Sequence, residues 1–131
     1  MERFQEYLDV LEMSELGILS FQMDYLERDF TKKVILDYFQ DDGSTGQCVG
    51  GIQLIKKTSH SMKVIREWNN HLFYEWINDT PDSHASPRHD QSIYSMVVKK
   101  YGSIRLPDET YYKDWSKGKH IPILAKRNRH A

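Results

Sequence analysis

Apolar residues recur along this chain at two periods, and the two periods take turns. Phe4, Tyr7, Leu8 and Leu11 fall at i, i+3, i+4 and i+7, one stripe of a helix over residues 3–13. GILSFQM, residues 17–23, then reads as a short strand. Phe30, Val34, Ile35, Tyr38 and Phe39 return to helical spacing, which predicts a helix over 29–39 capped by Asp29 or Thr31. The loop DDGSTG follows, dense in turn formers, and then VGGIQLI, a strand entered through two glycines. Met62, Ile65, Trp68, Leu72, Phe73, Trp76 and Ile77 predict one long helix over 59–77 with Ser59 as its N-cap. A last helix carries Ile93, Tyr94, Val97, Val98 and Tyr101 on its buried side and stops at Gly102. Residues 103–106 read as a short strand. Helices and strands in alternation specify an α/β fold, a small mixed sheet packed with three to four helices. Two or three short strands leave sheet edges close to every residue, so self-association or a partner chain is expected.

The 131 residues fit one domain, residues 1–131, with an irregular segment from 107 to 131. A formal net charge of -1 gives no drive toward nucleic acid or an anionic membrane surface. Cys48 stands alone, so the chain has no internal disulfide. No apolar run approaches the ~20 residues of a membrane span. The N-terminus MERFQEYLDV is charged and amphipathic, unlike a signal peptide. A soluble, cytoplasmic protein is the expectation. Aromatic residues make up 12% of the chain, which serves a well-filled core or a surface that stacks on sugars or bases.

The stretch SPRHDQSIYSMVVKKYG, residues 86–102, holds the densest group of candidate site residues. Ser86 reads as an N-cap, Pro87 as the first helical residue, and Asp90 as a first-turn carboxylate that complements the helix dipole. The same geometry holds a carboxylate outward, where it can accept a hydrogen bond from a ligand hydroxyl. Arg88 and His89 beside it suit an anionic or polyhydroxy ligand. The Gly50-Gly51 pair permits either a bulge or a close backbone approach to a ligand. Neither a phosphate-cradling glycine motif nor HExxH nor a Cys/His cluster is present. The acidic pair Asp41-Asp42 reads as turn-forming. Nothing marks Cys48 as an activated nucleophile.

The succession GILSFQMDYLERDFTKK, GQCVGGIQLIKKT, IREWNNHLFYEW and RHDQSIYSMVVKKYG resembles glycosyltransferase-like proteins of the GT-A, or nucleotide-diphospho-sugar transferase, fold. The resemblance runs roughly from Glu6 to Arg127, and RHDQS is its most specific piece. It covers the C-terminal, acceptor-side half; the Rossmann-like nucleotide-binding half and its Asp-x-Asp motif have no counterpart here. It implies transfer of a sugar from a nucleotide sugar to an acceptor hydroxyl, with a divalent cation such as Mn or Mg in a complete enzyme. By the same resemblance, Asp90 is the acceptor-side catalytic carboxylate and Gly50-Gly51 lie near the donor sugar. Arg88, His89 and Gln91 would contact substrate, and His120 is the nearest match to a late metal-binding histidine. The rival reading is a non-catalytic α/β binding module derived from that fold.

Overall fold

The computed structural model describes residues 2–77 and 90–109. Its elements are α1 (Glu2–Met13), β1 (Ile18–Leu26), α2 (Glu27–Phe30), α3 (Lys33–Phe39), β2 (Gly46–Ile55), α4 (Ser59–Asn70), α5 (Tyr74–Ile77), α6 (Asp90–Tyr101) and β3 (Ile104–Pro107). The strand order is β2-β1-β3. β1 runs antiparallel to β2 and parallel to β3, so this is a small α/β domain with a mixed sheet.

Strand geometry sends alternate side chains of β1 to opposite faces. Ile18 joins Cys48, Ile93, Tyr94, Val97 and Val98 in one cluster. Leu19 and Phe21 join Tyr7, Leu11 and Val49 in another. Residues 18–21 are all buried, which accounts for a near-continuous apolar run rather than a polar alternation. Each such side chain contributes roughly 1.5–3 kcal/mol by leaving water.

α6 lies against the first of these faces, and every residue from Ser92 to Val98 is buried. A helix covered all round is enclosed by neighbours, here β2 on one side and α3 and α4 on the others. Gly102, at φ +105°, ends it, and the Gly102 N–H donates to the Val98 carbonyl. Only glycine adopts that backbone conformation without strain. No helix among the described residues is long and apolar enough to cross a membrane.

Several expected boundaries move, some for local and some for tertiary reasons. The helix expected over 29–39 is two helices. Thr31 and Lys32 are extended between them, and both are buried. The Thr31 hydroxyl donates to Glu27 and the Lys32 ammonium to the Glu75 carbonyl. Neither Asp29 nor Thr31 caps α3; Lys32 holds that position without a side-chain cap. The break resets the phase of α3, which buries Ile35 and Leu36 and leaves Val34 and Tyr38 exposed.

The helix expected over 59–77 also divides. The His71 ring Nδ1 lies 2.6 Å from the Glu67 carbonyl, the acceptor that the His71 backbone N–H would otherwise use. That N–H turns to Trp68 instead, which closes α4. The N-cap is Thr58, one residue earlier than expected. Its hydroxyl accepts from the Ser61 N–H while the Ser61 hydroxyl accepts from the Thr58 N–H. Pro107 belongs to β3 rather than to the irregular segment. Residues 110–131 lie outside the described residues, as does the expected helix cap at Ser86 and Pro87.

Candidate functional site

β2 begins at Gly46, so Gly50 and Gly51 lie inside the strand rather than at its start. The pairing register explains why glycines are needed there. Ser20 pairs with Gln53 and Gln22 with Cys48, so residues 49–52 all oppose Phe21. The strand bulges between Cys48 and Gln53, a stretch that includes the glycine pair. A Cβ on Gly50 would sit 3.1 Å from both Cα and Cβ of Gln91, tighter than ordinary contact. Glycine therefore lets the first turn of α6 approach the bulge.

The approach is sealed by one bond: the Gly50 N–H donates to the Gln91 side-chain oxygen at 3.0 Å. On the other side of the same turn, the Trp68 indole N–H donates to the Asp90 carbonyl at 3.2 Å. The Trp68 ring packs on Tyr94, with centroids 4.7 Å apart. The backbone of Asp90 is thus held by α4, and its chain neighbour by β2. The Asp90 side chain and Gly51 are both exposed. An exposed carboxylate on a helix start whose backbone is held can accept hydrogen bonds from hydroxyl groups.

Gln91 was expected to touch substrate, but its amide is engaged within the chain. The oxygen takes the Gly50 N–H, and the nitrogen donates to the Gln47 side-chain oxygen at 2.7 Å. Arg88, His89 and His120 lie outside the described residues. Among the described residues no three His, Cys, Asp or Glu side chains converge as metal ligands. Asp41 and Asp42 accept from the backbone N–H groups of Gly43 and Ser44, as turn formers do. Hydrogen bonds from the Ser44 side chain and backbone hold the Asp42 carboxyl below the usual carboxylate range.

Beneath the bulge lies a buried polar network that no local motif announces. Its centre is Glu27, fully buried. One carboxylate oxygen accepts from the Thr31 hydroxyl and the Gln47 amide, both at 3.0 Å. The other accepts from the Ser95 hydroxyl and from the Lys99 ammonium at 2.8 Å. Four donors fill the acceptor sites of the carboxylate. Lys99 completes its own set with the Thr45 hydroxyl and the Gly46 carbonyl. Ser95 accepts from the Cys48 N–H, and Ser92 donates to the Phe30 carbonyl. Burial pushes the Cys48 thiol up, against a smaller opposing pull from Lys99, so it is no ready nucleophile. Gln91, Ser92, Ser95 and Lys99 share one stripe of α6 by helical spacing, the signal by which the network is legible in retrospect.

A separate depression of about 460 Å³ lies toward the other end of α6. Tyr38, Phe39, Asp41 and Lys100 line it together with Met96 and Lys99, and it includes none of the site residues expected from sequence. The chain matches no family model, no curated protein and no solved structure.

Proposed function

We propose that this chain is the acceptor-side part of a GT-A-like glycosyltransferase, with Asp90 orienting or deprotonating the acceptor hydroxyl. The observation that carries the reading is the Gly50–Gln91 bond, which ties the start of α6 to the glycine bulge and leaves Asp90 and Gly51 exposed beside it. These are the positions that the resemblance marks as acceptor carboxylate and sugar-facing glycines. Sugar transfer needs a hydroxyl held against the anomeric carbon, and a carboxylate on a fixed helix start supplies that orientation. In this reading the nucleotide and its divalent cation are bound by elements beyond this acceptor-side portion. Pairing with a partner chain or a second copy completes the sheet, and sedimentation equilibrium at micromolar concentration should detect association.

Amide chemical-shift mapping with mono- and disaccharides tests the reading. Millimolar sugar should shift Gly50, Gly51, Asp90 and Gln91, and Asp90→Ala should abolish the effect. Sugar nucleotides with Mn²⁺ should bind this chain more weakly than about 1 mM, or roughly -4 kcal/mol. Sugars that leave these four amides unmoved would overturn the assignment. A micromolar constant for a sugar nucleotide would place donor binding here instead.

A further inference from the structure

The amide groups between Glu27 and the bulge form a relay with a direction. Glu27 Oε1 can only accept, so it holds the Gln47 side-chain NH₂ toward itself at 3.0 Å, with Thr31 and Ser92 sharing that nitrogen. The Gln47 oxygen must then face away, where it accepts from the Gln91 NH₂ at 2.7 Å. The Gln91 oxygen is in turn left to face the Gly50 N–H at 3.0 Å. Reversing either amide would set an acceptor against an acceptor at its Glu27 end and a donor against a donor at its Gly50 end. A glutamine side chain is otherwise almost symmetric in shape, so groups of fixed polarity, the accepting Glu27 at one end and the donating Gly50 N–H at the other, decide which way the pair points.

We propose that Glu27 is a positioning residue for the Asp90–Gly50 site: through Gln47 and Gln91 its carboxylate fixes the polarity presented to Gly50, and so fixes the bulge against the start of α6. The inference rests on that site being a ligand site, but the relay itself has a separate readout. Lys99 and Ser95 anchor the carboxylate from the other side, at Oε2, so the relay starts from an immobile point. Two variants cut it at different places. Glu27→Gln removes the acceptor-only terminus while keeping the shape. Gln47→Met interrupts the relay and leaves the Glu27–Lys99 pair in place.

The experiment compares ¹⁵N–¹H spectra and carbohydrate titrations of the wild-type chain and both variants. In each variant the Gly50 and Gly51 amides should shift while those of α1 stay in place, and sugar affinity should fall about five- to ten-fold, the worth of one lost hydrogen bond. If Glu27→Gln fails to fold, Gln47→Met decides alone. Folded variants whose Gly50 amide keeps its wild-type position would overturn the relay. So would unchanged sugar affinity. Shifted Gly50 and Gly51 amides in a chain that binds no sugar even as wild type would sustain the relay and sink the ligand reading.

Discussion

On the α6 side of the sheet the core holds a charged pair, two amides and three hydroxyls among its apolar side chains; on the α1 side the buried cluster among the described residues is aliphatic and aromatic, with the Tyr7 hydroxyl as its polar group. Ser20 and Tyr94 extend the polar character of the first face, with their hydroxyls 2.7 Å apart in a buried bond. On the second face Tyr7 packs edge-on to Phe21, and the Tyr7 hydroxyl donates to Glu109. Both clusters carry partly buried hydrophobics at their margins, Phe39, Trp68, Ile77 and Tyr101 on the α6 side and Ile52, Leu54, Ile104 and Leu106 among those on the α1 side, and residues 92–98 of α6 are buried without a gap. Apolar contacts are forgiving of register and partner. A saturated polar network accepts one arrangement, since every displaced group becomes an unsatisfied one. The side of the sheet that carries the candidate site is therefore the side built for a single geometry.

Removing one member of the network should give the largest effect. Glu27→Ala strands the Lys99 ammonium and three other donors in the core, and should cost about 3–5 kcal/mol in urea denaturation. On the apolar face, Leu19→Ala should cost about 2–5 kcal/mol, with its value set by how far the site collapses. Leu54→Ala, opposite it on β2 and only partly buried, should cost less. An equal cost at both positions would mean that the margin of the α1 face is as closed as its centre.

Ser20→Ala should cost about 1–3 kcal/mol, because it leaves the buried Tyr94 hydroxyl without its partner. Adding Tyr94→Phe should recover most of that loss. A double variant as unstable as the sum of both singles would show that the pair contributes nothing jointly. The smallest effect is expected at alkaline pH. Burial raises the Cys48 thiol above its ordinary value of 9.0. The stability it contributes is fully present below that value and is lost as pH rises through the folded one. Tyr94, raised chiefly by burial, acts in the same direction at higher pH. The urea midpoint of the wild-type chain should therefore fall more steeply above about pH 9 than that of Cys48→Ala.

The α/β order and much of α6 were legible because they rest on local pattern. Ile93, Tyr94, Val97 and Val98 announce their side by spacing, and Gly102 announces the stop. Thr31 reads as a helix cap until Glu27 and Gln47 are known to stand beside it. Glu27 and Lys99 are 72 positions apart, and neither carries a mark that says the other is its partner. The Gly50-Gly51 pair permits a bulge from sequence, but its place inside β2 follows only from the register against β1. Asp90 stands out by its place at a helix start, and the bonds of Gln91 beside it to Gly50 and Gln47 have no sequence signal. What the sequence concealed is what long-range hydrogen bonds decide.

Native-state hydrogen exchange of the Cys48 and Gly50 amides tests the central claim most directly. Both amides donate to side chains of α6, Cys48 to Ser95 and Gly50 to Gln91. If the polar face is one cooperative unit with the sheet, both should exchange only through global unfolding, as slowly as the amides of β1. Exchange of the Gly50 amide at the rate of exposed loop amides would contradict the account, because the bulge would then move independently of the helix that is held to position it.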